Sequence, residues 1–198
     1  MPSRNFIVIL KNGGIGVLPT DTLYGLVGQA LDKKAVARIY KVRRRNPKKP
    51  LIILISSFRN LSRFSIKLDV KTKKILENLW PGPISVILSC PQSKFSYLHR
   101  GTNSLAFRLP KPQWLRRLIK KTGPLVAPSA NPEGFPPAKT IKEAKRYFGS
   151  RADFYSGAGK LKSPPSTIIS LKHGKIKIIR EGAGKNLWLK NKNVLENR

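Results

Sequence analysis

The chain has 198 residues, of which 40% are hydrophobic, and its 40 Lys and Arg against 9 Asp and Glu give a formal net charge of +31. This length and apolar content fit one folded domain and exclude a long disordered polar chain. A single cysteine excludes an intrachain disulfide and a zinc site built from cysteines. Because the two histidines are far apart and no carboxylate cluster accompanies them, we expect no protein metal site.

The apolar segments are short. Phe6–Leu10, near the N-terminus, has only five residues, too few for a signal peptide or a transmembrane helix, and no longer run follows. We therefore expect a cytoplasmic protein without membrane contact. The basic residues are spread along the chain, so the folded surface itself is basic. Such a surface favours contact with a polyanion such as RNA, and a solvated basic surface has the same composition.

The first half of the chain alternates helical and extended patterns. Apolar residues at helical spacing after an Asp cap predict two helices, and continuous apolar runs predict strands. The predicted elements are a helix from Ser3 to the Gly13-Gly14 pair, strands at 15–18 and 23–30, a helix from Asp32 that ends before Arg45, a strand at 51–55 and a helix after Asp69.

The second half ends in a β-rich region. Thr140 and Glu143 match a capping box, and alternating apolar residues on both sides of His173-Gly174 predict an antiparallel hairpin. The predicted elements are strands at 84–88 and 105–109, a helix after Pro112, a strand at 125–126, a helix from Thr140 to Phe148 and hairpin strands at 167–171 and 175–179. The pattern predicts one α/β domain, residues 1–185, with a twisted mixed sheet and flanking helices. Residues 186–198 are predicted to be a short, loosely attached C-terminal tail.

Four segments combine rigid backbone residues with polar or cationic groups. Hydroxyls in Pro19–Leu26 can bind a small polar ligand, the cations of Arg43–Lys49 can clamp phosphate at a helix end, and Ala127–Pro132 follows a strand with Ser and Asn. An ordinary turn or a solvated charge run remains an alternative for each. Ser156–Thr167 is not a P-loop, because Leu161 follows Gly159-Lys160, and it is predicted to be a mobile lid or connection.

Six motifs in order extend from about residue 12 to residue 183: GGIGVLPTDTLYGLVGQAL, IY…R-x-R…KPLIILI, LWPGPISVIL, SLAFRLP, PLVAPSANPEGFPP and PPSTIIS…IIREGA. Together they resemble the YrdC family of threonylcarbamoyl-AMP synthases, in its short single-domain form. The resemblance implies an enzyme that condenses L-threonine, bicarbonate or CO2, and ATP to threonylcarbamoyl-AMP and pyrophosphate. The product serves to modify the tRNA adenosine beside the anticodon, through a downstream threonylcarbamoyl transferase complex.

The resemblance also assigns roles to residues. It implies that Arg43 and Arg45 are catalytic, that ATP is bound by Arg45, Lys49, Ser104, Ser129, Asn131 and Arg180, and that L-threonine is bound by Thr22, Arg108, Ala127 and Ser166. With no carboxylate cluster to hold it, Mg2+ is expected to be carried by ATP itself. Two positions depart from the family pattern: Arg43 replaces a lysine, and Leu54 stands where many relatives have a histidine.

Two other functions stay open on the sequence alone. The net charge fits a non-catalytic RNA-binding protein of the same fold that acts in tRNA or ribosome maturation. A carbamoyl transferase module is disfavoured, because such modules usually belong to much longer chains.

Overall fold

A computed structural model describes residues 4–172 and 175–196. The helices are α1 Arg4–Lys11, α2 Lys33–Arg43, α3 Val70–Leu79, α4 Ser96–His99, α5 Gln113–Thr122, α6 Ile141–Phe148 and α7 Lys185–Glu196. The strands are β1 Gly16–Pro19, β2 Tyr24–Gln29, β3 Ile52–Leu54, β4 Ile84–Ser89, β5 Ser104–Arg108, β6 Leu125–Val126, β7 Phe154–Tyr155, β8 Thr167–Lys172 and β9 Lys175–Arg180.

The helix starts follow the predicted caps. The Asp32 carboxylate accepts hydrogen bonds from two main-chain N–H groups in the first turn of α2, and the Asp69 carboxylate accepts from one in the first turn of α3. Thr140 caps α6 by accepting from the main-chain N–H of Glu143 at 3.2 Å. The predicted capping box is only half formed, because the Glu143 carboxylate accepts from the N–H of Lys139 and not from that of Thr140.

Within residues 4–172 and 175–196, the strands form one mixed sheet in the order β7-β1-β2-β6-β3-β5-β4-β8-β9. Parallel pairing joins β1 to β7, β3 to β5 and β4 to β8, and the other neighbours are antiparallel. The predicted α/β fold with a mixed sheet and flanking helices is therefore confirmed. The predicted hairpin is present as β8 and β9, whereas its turn, His173-Gly174, lies outside the described residues, as does Ser3.

The core has two parts, one on each face of the sheet. Ile53 belongs to the larger cluster and its neighbour Leu54 to the smaller one, as expected when successive strand residues face opposite sides. Helices α2, α3 and α6 pack on the larger cluster, and α1 and α5 pack on the smaller one with β1, β2 and β6. On this second face, the registers of β3, β5 and β4 align Ile52, Ala106 and Ile87. These three side chains are only half-buried, and they form a floor beside the helix-covered part.

Residues 186–196, predicted to be part of a loosely attached tail, instead belong to α7. Trp188 on this helix is 4% exposed and belongs to the larger core cluster. The sequence prediction failed here because 187–189 is an apolar run of only three residues among lysines and asparagines. The burial of Trp188 depends on contacts with distant parts of the chain.

Within residues 4–172 and 175–196, none of the helices has both the length and the apolar character needed to span a bilayer.

Candidate active site

A cavity of about 470 Å3 lies over the half-buried floor of the sheet. Its walls come from the β1–β2 turn, the end of α2, the loop after β6, the start of β8 with the residues before it, and the end of β9. Four arginines reach it from different elements: Arg43, Arg45, Arg108 and Arg180. The cavity therefore combines an apolar floor with concentrated positive charge.

Arg108 ends β5 and is only 4% exposed. Its Nη1 donates to Thr22 Oγ1 at 3.1 Å, and its Nη2 lies 3.5 Å from Asp21 Oδ1. Its Nε is buried without a hydrogen-bond partner. Burial lowers the pKa of the guanidinium, while the Asp21 carboxylate opposes that shift. Arg108 is thus a fixed, buried cation whose N–H donors are only partly used.

Ser166 and Arg180 form a second polar group on the cavity wall. The buried Ser166 hydroxyl lies 3.0 Å from the hydroxyl of Ser85, which is also buried. Arg180 donates through Nη2 to the Ser166 carbonyl at 2.8 Å. Partial desolvation of its guanidinium lowers the pKa of Arg180, although the residue as a whole is exposed. These contacts fix the direction of both side chains before any ligand is bound.

Arg43 is the last residue of α2 and is 2% exposed. Its Nε donates to the Asn131 carbonyl at 2.8 Å, and its Nη2 contacts Asn131 Oδ1 at 3.3 Å and Ser129 Oγ at 3.4 Å. Nη1 is buried without a partner. Burial, reinforced by the nearby charge of Arg45, lowers the pKa of Arg43 to about 10, so the group stays charged at neutral pH.

Arg45 and Lys49 occupy the turn between α2 and β3. Arg45 donates through Nε to the Lys49 carbonyl at 3.2 Å and through Nη2 to the Pro50 carbonyl at 2.8 Å. The Lys49 ammonium lies 2.5 Å from Glu133 Oε1, and its side chain is 59% exposed. Arg45 lines the cavity, whereas Lys49 does not and instead forms an ion pair with Glu133 at the surface.

The structure brings nine of the eleven predicted site residues to this one cavity: Thr22, Arg43, Arg45, Ser104, Arg108, Ala127, Ser129, Ser166 and Arg180. Lys49 and Asn131 do not line it. The Asn131 amide donates to the carbonyls of Pro132 and Phe135, so its polar atoms fix the loop and Arg43. Leu54 does not line the cavity either, because it is fully buried in the smaller core cluster.

Several polar residues at the site were given no role in the prediction from the sequence. Thr20 and Tyr24 line the cavity, and Asp21 lies behind Arg108. All three belong to Pro19–Leu26, which was singled out for its hydroxyls, so the signal was the segment as a whole. Ser85 gave no comparable signal, because it occupies an apolar strand whose pairing with β8 is a long-range contact.

The described residues contain no group of three or more His, Cys, Asp or Glu side chains arranged to hold a metal ion. The charged groups at the cavity are instead mainly arginines, which suit carboxylate and phosphate ligands.

A model of the family described as "Telomere recombination", Sua5/YciO/YrdC, matches residues 8–182. The chain belongs to this family. A putative threonylcarbamoyl-AMP synthase of Methanocaldococcus jannaschii is 34% identical over 174 residues, which cover 87% of this chain and 82% of that protein. The threonylcarbamoyl-AMP synthase of Pyrococcus abyssi is 30% identical over 87% of this chain, which spans about half of that relative (52%).

Solved structures of Sua5/YciO/YrdC proteins share the fold. P. abyssi Sua5 complexed with L-threonine superposes with a TM-score of 0.83 at 28% identity, covering 90% of this chain and 53% of that one. Escherichia coli YciO gives a TM-score of 0.79 at 24% identity over 90% of this chain and 87% of that one, a likeness of fold alone. The family predicted from six sequence motifs is thereby confirmed.

Proposed function

We propose that this protein is an L-threonylcarbamoyladenylate synthase. In the proposed reaction, the amine of threonine captures CO2 or bicarbonate to give an N-carboxylate. A carboxylate oxygen then forms a bond to the α-phosphorus of ATP, the bond to the bridging oxygen breaks, and pyrophosphate leaves. With bicarbonate as the carbon source, one water is also released. The product would serve tRNA modification, through a threonylcarbamoyl transferase complex that accepts it.

One observation carries the proposal: four guanidinium groups line one cavity, and two of them, those of Arg43 and Arg108, belong to buried residues. Because a buried cation is costly unless it is paired, this concentration of positive charge favours ligands with anionic oxygens. Threonine supplies a carboxylate and ATP supplies phosphates. The names of the relatives support this assignment, and so does the L-threonine complex of P. abyssi Sua5.

Arg108 is the proposed partner of the threonine carboxylate. Thr22 and Asp21 hold its guanidinium in place through Nη1 and Nη2, which fixes a positive charge at the cavity wall. Because its orientation is fixed in advance, little side-chain entropy is lost when threonine binds. Ser166, Thr22 and the backbone at Ala127 would complete the threonine site.

Arg43, Arg45 and Arg180 are the proposed ligands of the phosphates, with Ser104 and Ser129 beside them. The reaction requires orientation of the two substrates and stabilisation of charge that develops on the phosphate oxygens. Fixed guanidinium groups in a partly enclosed cavity provide both, so the mechanism needs no protein nucleophile. Mg2+ would enter bound to the triphosphate.

Threonine-dependent pyrophosphate release from ATP, with incorporation of labelled bicarbonate, tests this function. Arg45→Ala and Ser129→Ala should each lower kcat/KM for ATP at least tenfold, about the effect of one charge-assisted hydrogen bond. Arg59→Ala is the matched control, because Arg59 is exposed and does not line the cavity. Pyrophosphate release that does not depend on threonine would refute the proposal.

The formal charge of +31 favours a second candidate, a non-catalytic RNA-binding protein of this fold. This function predicts RNA binding with a steep salt dependence and no turnover of ATP. The same assay, run beside a titration of the protein into tRNA at two salt concentrations, separates the two candidates.

A further inference from the structure

The turn at residues 44–49, which we call the basic turn, is fastened to the loop after β6 by one acidic residue. Glu133 Oε2 accepts a hydrogen bond from the main-chain N–H of Asn46 at 2.5 Å, and Oε1 accepts one from Lys49 Nζ at 2.5 Å. The main-chain N–H of Glu133 donates to the Arg43 carbonyl at 2.8 Å. Glu133 thus contacts the last residue of α2, just before the basic turn, as well as the middle and the end of the turn.

The basic turn also determines the position of the Arg45 side chain. The Arg45 guanidinium donates to the main-chain carbonyls of Lys49 and Pro50, at 3.2 and 2.8 Å. The turn begins with Arg44 in the left-handed conformation, at φ 50°, which a non-glycine residue adopts at an energetic cost. Cap hydrogen bonds to the carbonyls of Tyr40 and Lys41 hold the start of this backbone, and the Glu133 carboxylate adds two contacts farther along the turn.

The charge of Glu133 suits this task. It lies beside a segment in which five of seven residues, from Arg43 to Lys49, are Lys or Arg. The hydrogen bond from Lys49 and then that from Asn46 lower the pKa of the Glu133 carboxyl, so it is anionic throughout the neutral range. Glu133 itself does not line the cavity.

We propose that Glu133 is a positioning residue for the nucleotide: it holds the basic turn so that Arg45 faces the phosphates of ATP. The inference rests on the proposed function, because it assigns Arg45 to ATP. It also explains why Lys49 lies outside the cavity, since its ammonium neutralises the carboxylate that anchors the turn.

The test compares Glu133→Ala, Glu133→Gln and the charge-matched control Glu77→Ala. Glu77 lies on α3, 3.9 Å from Lys73 Nζ, and its side chain is 49% exposed. Glu133→Ala removes both side-chain contacts and should raise the KM for ATP about tenfold, the effect of one lost charge-assisted hydrogen bond. Its KM for threonine and its kcat should stay within about twofold of wild type. Glu133→Gln keeps an oxygen for the Asn46 N–H and should raise the KM for ATP only about threefold.

The Kd of ATP, measured by calorimetry without threonine, should follow the same order. A merely structural role would lower the Tm of Glu133→Ala without the selective change for ATP and without rescue by Gln. Wild-type affinity for ATP in Glu133→Ala, or tighter binding of ATP, would overturn the inference and leave the proposed synthase standing. If the wild-type protein itself binds no ATP, the proposed function fails and the inference fails with it.

Discussion

Arg108→Lys is the substitution that most directly separates the two proposed ligands of the cavity. Lysine keeps the positive charge beside Asp21 but replaces the planar fork with a single ammonium group. The hydrogen bond from Nη1 to Thr22 at 3.1 Å is lost, and so is the planar pair of donors that suits a carboxylate. The variant therefore tests the geometry of the guanidinium while the formal charge stays unchanged.

The expected effects follow from these contacts. Loss of one buried hydrogen bond lowers the free energy of unfolding by about 1–2 kcal/mol. At roughly 2–4 °C for each kcal/mol in a chain of this size, the Tm falls by about 2–8 °C. Loss of a hydrogen bond to the threonine carboxylate is worth about 1.5–3 kcal/mol, which is about 10- to 150-fold in the KM for threonine. The KM for ATP should change by less than about twofold.

Initial rates of pyrophosphate release, measured with each substrate varied in turn, give both constants. Arg38→Lys is the matched control, because Arg38 forms its ion pair with Asp153 at 2.6 Å outside the cavity. An Arg108→Lys enzyme whose KM for ATP rises as much as its KM for threonine would refute the assignment of Arg108. So would an unchanged KM for threonine in a correctly folded variant.

Two further predictions concern stability. Arg38 hydrogen-bonds Asp153 and lowers the pKa of its carboxyl. This partly exposed pair therefore stabilises the fold at pH values above the ordinary carboxyl pKa of about 4. The stabilisation is lost as the pH falls through the lowered pKa. Asp153→Asn should therefore lower the Tm at pH 7 by no more than a few degrees. Between about pH 5 and 3, the Tm of the variant should decrease less steeply than that of the wild type, and an equally steep decrease would contradict this prediction. Gly182→Ala should destabilise the fold by about 1–3 kcal/mol in urea titrations, because a Cβ there would lie 2.1 Å from the carbonyl oxygen of Pro165. Gly157→Ala, with 3.6 Å to its nearest neighbour, is the control, and equal losses in the two variants would show that crowding is not the cause.

Individual helices and strands could be predicted from the sequence because their signals lie within a few residues of each element. Asp32 and Asp69 cap helices through N–H groups two or three residues away, and the apolar runs of β3 and β4 form strands. The order of the strands did not follow, because neighbours such as β2 and β6 are distant in sequence and meet only in the folded chain. The burial of Trp188 depends on the same kind of distant contact.

The candidate site could be predicted as a set of residues but not as a set of contacts. Nine of the residues predicted from the family motifs line one cavity. The motifs did not show, however, that Asn131 contacts Arg43 and does not line the cavity. Nor did they show that Lys49 pairs with Glu133, since that pair joins two loops 84 positions apart. The roles of the individual residues remain predictions that the proposed assays test.

The few acidic residues have a consequence for the molecule as a polyelectrolyte. Each of the eight whose side chains are described accepts a main-chain hydrogen bond near a helix start or pairs with a cation: Asp21, Asp32, Asp69, Glu77, Glu133, Glu143, Asp153 and Glu181. The remaining positive charges are thus largely uncompensated and repel one another. Added salt should consequently stabilise the fold by screening this repulsion, the reverse of what surface ion pairs alone would give. A polyanion at low ionic strength should do the same.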